Sequence, residues 1–199
     1  MRFFLFAIFT LLLLMGCSSS TPSIREYTLL LQPTKESQNT LIAAKSLSIA
    51  SPKALPSLSG KNILYLREDT ETGNYLYSRW NDTPSSFIQR SLIQSIEAEH
   101  LFRTVVPTSS LVQSDWILES DLNAFHHRFI GSMSEGYIDI TYRLLDPKTK
   151  HTIKTKRFII TAPAPTHDAT GGVKALKNAL LELNRQSIQW LGTDIKENR

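Results

Sequence analysis

The chain has 199 residues, with 22 Lys plus Arg against 18 Asp plus Glu and one cysteine. A formal balance of +4 spread along the sequence is too weak to argue for a nucleic-acid partner. A lone cysteine excludes an internal disulfide framework, so the fold rests on its hydrophobic core, for which the length suffices.

The first residues read as an export signal. Arg2 supplies a positive start, and Phe3 to Leu14 is apolar except for Thr10. That run is shorter than the roughly 20 residues a membrane-spanning helix needs, and matches the core of a signal peptide. Leu14-Met15-Gly16-Cys17 resembles a lipobox, with a small residue before the cysteine, although Met15 is larger than is usual there. An ordinary secretory signal or an uncleaved anchor would leave Cys17 incidental; its place as the only cysteine favours lipidation. The expected organisation is a signal peptide over residues 1–16, lipidated Cys17 with a flexible tether over 17–24, and one domain over 25–195. One acyl chain binds a membrane marginally, whereas the triacylation (palmitate included) implied by the lipobox would hold the protein permanently. Loss of Arg2 with the signal leaves 21 basic against 18 acidic residues.

Beyond the tether, Glu26 to Leu31 reads as a short strand led by Tyr27, and Gln32 to Thr40, with Pro33, as a loop. Ser46 to Ala50 alternates, with Leu47 and Ile49 on one face; Pro52 and Pro56 interrupt the next stretch. Asn62 to Arg67 and Tyr75 to Trp80 are strand candidates, joined by a polar hairpin loop at Glu68 to Asn74. Thr83 can cap a helix with Pro84 at its first position, and Ile88, Leu92 and Ile96, with Ile93, give that helix an apolar face. Val105 to Pro107 looks extended. Trp116 to Phe125, Tyr137 to Leu145 and His151 to Ala162 then read as an antiparallel meander. In the first of these, Trp116, Leu118, Leu122 and Ala124 share a face opposite Glu119, Asp121 and Asn123. In the second, Ile138, Ile140, Tyr142 and Leu144 share one. A helix from about Asp168 to Leu191 buries Val173, Leu176, Leu180, Leu183 and Trp190, with Gly171 and Gly172 weakening its first turn and Lys196 to Arg199 a frayed tail. The expected fold is α+β: a mostly antiparallel sheet with two amphipathic helices packed on one face.

The chemistry-bearing residues are few. His126-His127 is the only metal-like feature, but neighbours on an extended segment face opposite ways, and the ligand count of a zinc site is missing. Arg128 beside them suggests a solvated sheet end. Glu119 and Asp121 share a strand face and could form an acid pair, although alternation reads them as the wet face of a sheet. No Gly-x-Ser-x-Gly elbow is present, and Gly171-Gly172 lacks the spacing of a phosphate loop. These observations point to no catalytic residue, no metal and no cofactor. Arg79-Trp80, just before the capped helix, is either a core Trp with an exposed neighbour or a partner-binding pair, since both residue types are enriched at interfaces.

Several segments, in order, resemble the ABC-type transport auxiliary lipoproteins, which include the lipoprotein component of the paraquat-inducible intermembrane transport system. These are Tyr27-Thr28-Leu29-Leu30, Ser46 to Ala50 with Leu55-Pro56, Ile63 to Arg67, and Tyr77-Ser78-Arg79-Trp80 with Pro84. Phe102 to Pro107, Trp116 to Glu119, Leu122 to Phe125 and the closing Trp190-Leu191 come after them. Asn81-Asp82, the long polar hairpin and the paired histidines depart from that pattern. The resemblance implies a non-catalytic lipoprotein on the periplasmic face of the outer membrane. It implies work with an MCE-domain protein and an ABC transporter or permease that move lipids between membranes, with Arg79 and Trp80 as partner-binding candidates. Some members form rings, so a homo-oligomer is among its implications. Ser18 after the cysteine, rather than Asp, fits sorting to the outer membrane. The alternative is a structural lipoprotein of lipopolysaccharide or secretion machinery.

Overall fold

The structure, a computed structural model, describes residues 23–29, 31 and 43–197, with side chains except those of residues 43 and 194–197. The export signal, Cys17, most of the tether and the loop containing Pro33 lie outside the described residues.

A 15-residue strand, β7 (Trp116–Ile130), is the spine of a nine-stranded sheet. Along one edge it pairs antiparallel with β8 (Met133–Asp146), from Ile117↔Leu145 to Ile130↔Met133. Strand β9 (His151–Pro163) continues that meander, also antiparallel. Three strands dock in succession on the other edge of β7, all parallel to it. These are β2 (Ala43–Ile49) at Trp116 to Leu118, β3 (Lys53–Ala54) at Asp121 and Leu122, and β4 (Asn62–Arg67) at His127 to Phe129. A short 3-10 turn, Pro56–Leu58, separates β3 from β4. The sheet therefore forks. One branch adds β6 (Phe102–Pro107), parallel to β2. The other adds β5 (Glu71–Trp80), antiparallel to β4, and then β1 (Arg25–Tyr27), parallel to β5.

Five of these eight pairings are parallel and three antiparallel. The α+β class stands, but the expectation of a mostly antiparallel sheet is corrected. Alternation identifies strands and faces, not direction. The parallel pairings join strands far apart in sequence, whose relative direction is set by the connections between them.

Two irregularities shape the surface. Between Leu122 and Ala124 the β7–β8 register shifts. Beyond that bulge the inward positions are Phe125 and His127, so Ala124, expected to share the face of Leu122, does not. In β5, Asn74 lies opposite Leu64 and Arg79 opposite Asn62, so five steps along β5 match two along β4. The surplus forms a wide bulge that exposes Leu76 and Tyr77. The polar segment expected as a hairpin loop is correspondingly shorter: β5 already begins at Glu71.

Both helices lie on one side of the sheet. Helix α1 (Pro84–Ala98) starts as expected, with Thr83 Oγ1 accepting from the Ser86 N–H at 3.3 Å and Pro84 at its head. It buries Phe87, Ile88, Leu92 and Ile96. Helix α2 (Ala169–Glu197) buries Val173, Leu176, Leu180, Leu183 and Leu191 in the same core. It continues through Lys196 and Glu197, the start of the expected frayed tail. Trp190 is only partly buried; its ring stacks on Tyr142 and meets Phe158 edge-on. Asn184 donates to Ser95 Oγ at 3.1 Å, tying the helices together. Leu29 and Leu31 also enter the core, although β1 ends at Tyr27. The opposite face of the sheet carries charged pairs, among them Arg128–Glu135, Arg143–Asp121 and Arg157–Asp139.

Candidate functional site

Strand β5 ends on Arg79-Trp80, and pleating sends the two side chains to opposite faces. Trp80 is 1% exposed, and its ring meets Phe87 at 5.6 Å and Phe125 at 6.0 Å, both edge-on. Its backbone N–H donates to the Lys61 carbonyl at 2.7 Å, and the next N–H, of Asn81, donates to Tyr27 at 2.8 Å. The indole therefore joins α1 to the sheet from within and leaves no contact surface of its own. Arg79 faces outward. Its Nε and Nη2 donate to Glu26 Oε1 at 2.9 and 2.5 Å, and both side chains are half exposed.

The surroundings of Arg79 are apolar and open. Leu76 is 81% exposed and Tyr77 54%. Exposed Ile24 precedes Arg25, which pairs with Ser78, so continuing that register brings Ile24 opposite Tyr77. The bulge thus gathers Ile24, Leu76, Tyr77 and the Arg79–Glu26 pair beside the strand that succeeds the tether. Sequence pattern alone shows Leu76 and Tyr77 as ordinary strand residues; no local signal marks the bulge. Behind them, Asp82 accepts from Ser86 Oγ, the Thr83 N–H and Arg90. The Ser86 hydroxyl, then the Thr83 amide, hold its carboxyl below the usual range, so the loop after Arg79-Trp80 is locked to the head of α1.

The histidines part across the sheet. His126 lies on the outer face, stacked on Tyr137 at 5.2 Å, with Arg128 above the same tyrosine at 4.2 Å. His127 points at α2 and is fully buried, its Nδ1 2.8 Å from the Tyr75 hydroxyl. The solvated sheet end expected here is corrected: β4 and β8 flank β7 at this point, and α2 covers it. Burial first, then neighbouring positive charge, pushes each imidazole down to about 4; Arg128 is that neighbour for His126 and His167 for His127. Burial, then Asp168, raises Tyr75 to about 12. Both rings are thus neutral near pH 7, and each Nε2 is buried with no hydrogen-bond partner among the described residues. Among those residues, too, no three His, Cys, Asp or Glu side chains converge on a point.

The remaining candidates resolve into structure. Arg143 faces Glu119 in register and forms an ion pair with Asp121 at 2.5 Å, so the two acids flank a cation. Gly171 and Gly172 are sites of close approach. A β-carbon on Gly172 would lie 2.7 Å from the His127 ring, and one on Gly136 of β8 would lie 2.5 Å from the backbone of Ala175 and Leu176. A glycine within a strand and a glycine pair at a helix head are the signals that disclose such approach.

The family model described as ABC-type transport auxiliary lipoprotein component matches residues 27–187. Comparison with curated proteins gives no match. Among solved structures, the chain is similar to a protein from Xanthomonas campestris, with a TM-score of 0.76 and 17% identity over 89% of this chain and 99% of that one. It is also similar to an uncharacterized protein, with a TM-score of 0.67 and 15% identity over 85% and 99% of the two chains. A hypothetical protein from Chlamydia trachomatis has a TM-score of 0.55 and 6% identity over 77% and 98%. At these identities the likeness is one of fold.

Proposed function

The chain belongs to the ABC-type transport auxiliary lipoprotein family, and from that membership we propose that it is the non-catalytic auxiliary component of an MCE/ABC-type intermembrane lipid transport system. In this reading Cys17 carries the acyl anchor, and the domain stands on the periplasmic face of the outer membrane, where it docks the MCE partner. The anchor matters because, among the described residues, no helix is long and apolar enough to cross a membrane.

The observation that carries the docking role is the open group formed by Leu76, Tyr77 and Arg79 on the bulged strand. Exposed aromatic and arginine side chains beside apolar neighbours are the composition from which interface energy is drawn. The group also adjoins β1, which pairs with the same strand. Arg79 is the contact residue of the pair, and Trp80 supports it from the core.

Capture of partners by the full-length protein from cross-linked cells tests this reading. Wild type should retain an MCE-domain protein, and Arg79→Glu, with the fold verified by circular dichroism, should retain much less. Capture of lipopolysaccharide or secretion components in place of any MCE protein would replace the reading with the structural alternative.

A further inference from the structure

The longest free edge in the described fold is that of β9. Its 13 residues pair with β8, and no other described strand adjoins them. An unpaired edge of this length is a template for another extended chain unless something opposes it. Here the opposition is charge. From Pro147 to His167 the sequence has no acidic residue but contains Lys148, Lys150, Lys154, Lys156 and Arg157. Lys148 lies 4.0 Å from Asp115, and Arg157 pairs with Asp139 at 2.5 Å. Lys154 and Lys156 sit over the Trp190 and Phe158 rings at 4.6 and 4.9 Å, so aromatic surface holds both on the helix side of the strand. Exposed Lys174 and Lys177 of α2 flank the far end, around Pro163 and Pro165. The fold thus adds Lys174 and Lys177 to a basic run that is already continuous in the sequence, and lays the whole along one edge.

We infer that the β9 edge is a docking site for an extended, acidic segment of another protein, which adds to the sheet as a further strand. Main-chain hydrogen bonds supply affinity in such an addition, and alternate side chains supply choice. A segment with acids on one face would meet exposed Lys156 and, at the start of the strand, exposed Lys150. Its apolar positions would meet Ile159, which is 53% exposed on the outer face. A second copy of this chain is disfavoured, because pairing β9 with itself opposes the same basic run to itself. The site lies across the sheet from the β5 bulge and does not depend on the role proposed there.

The test uses full-length protein in neutral detergent micelles and a labelled synthetic peptide of alternating Glu and Val. Fluorescence anisotropy should show saturable binding that added salt weakens. Hydrogen exchange should slow at the amides of β9 and not at β1 or β6. Lys150→Glu with Lys156→Glu should weaken binding by about tenfold or more, as reversal of steering charges does. A Lys–Val peptide should not bind. Four results would overturn the inference: no binding of the Glu–Val peptide, equal binding of the Lys–Val peptide, protection confined to another edge, or undiminished binding by the charge-reversed variant. Protection of β9 by phosphatidylglycerol vesicles but not by the peptide would reassign the edge to a membrane surface. Protection that grows with protein concentration alone would reassign it to self-association.

Discussion

The imidazole of His127 occupies the space that a side chain at position 172 would need: a β-carbon there would lie 2.7 Å from its Cγ and Nδ1. The head of α2 can therefore settle onto β7 only because residue 172 is glycine. Gly136 does the same for β8, at 2.5 Å from helix backbone rather than from a ring.

Gly136→Ala and Gly172→Ala should each destabilise the fold by about 1–3 kcal/mol, the usual range for overpacking. Gly136→Ala should fall at the upper end, since backbone yields less than an imidazole. Gly60→Ala is the control, because nothing lies within 4 Å of its added carbon. Urea denaturation measures all three. Equal midpoints for the two buried variants and the control would mean that α2 does not rest on the sheet this closely.

The buried histidines give stability a pH window. Each is depressed from 6.5 to about 4 in the fold, so between those values the unfolded chain binds more protons. Stability is therefore full above about 6.5, declines as pH falls, and this contribution is wholly lost below about 4. For fully buried His127 the loss across that window is on the order of 3 kcal/mol. The hydrogen-bonded Asp82, Asp139 and Asp168 have pKa values lowered from 3.8, so their contributions fade only below that window. Denaturation at about pH 7 and pH 5 should show a marked loss in wild type and a smaller one in His127→Phe. Equal losses in the two would remove His127 from the account.

Much of this was legible in the sequence. Thr83-Pro84 announced the head of α1, and period-two alternation placed Ile138, Ile140, Tyr142 and Leu144 on the inner face of β8. What escaped were features that depend on partners distant in sequence. The parallel docking of β2, β3 and β4 on β7 leaves no mark in periodicity. The bulge near Asn123 breaks alternation where the composition stays strand-like, so His127 looked solvated when it is buried. In Arg79-Trp80, sequence located the pair but left open whether Trp80 is a core residue beside an exposed Arg79 or both meet a partner; the edge-on contacts of Trp80 with Phe87 and Phe125 put it in the core. The contact group's apolar members, Leu76 and Tyr77, owe their exposure to a register shift that only the pairing with β4 reveals.

The opposite faces of that pair predict opposite outcomes. Trp80→Ala should cost about 3–5 kcal/mol, the range for truncating a buried aromatic. Arg79→Glu should change stability by less than about 1 kcal/mol, as for an exposed ion pair. Thermal or chemical denaturation of the two variants decides it; a mild effect of Trp80→Ala would place the indole at the surface.

On the outer face, Asp139 is nearly buried beneath Arg157, which donates to both its oxygens, and Asn123 adds a third bond. Arg157→Ala should lower stability measurably, because the hydrogen-bonded Asp139 carboxylate is left without its cation. Asp139→Asn in the same chain should recover part of that loss. A double variant no better than the single one would show that the pair contributes through packing rather than charge.

Photo-crosslinking in living cells from a benzophenone amino acid at position 77, with the adduct identified by mass spectrometry, tests the proposed role most directly. Tyr77 is exposed on the β5 bulge beside Arg79, so the probe leaves the core intact. The account predicts an adduct with an MCE-domain protein that is lost when Arg79→Glu is added and is absent when the probe sits at exposed Arg185 on α2. No MCE-domain protein in the position-77 adduct, or the same one captured equally from position 185, would contradict it.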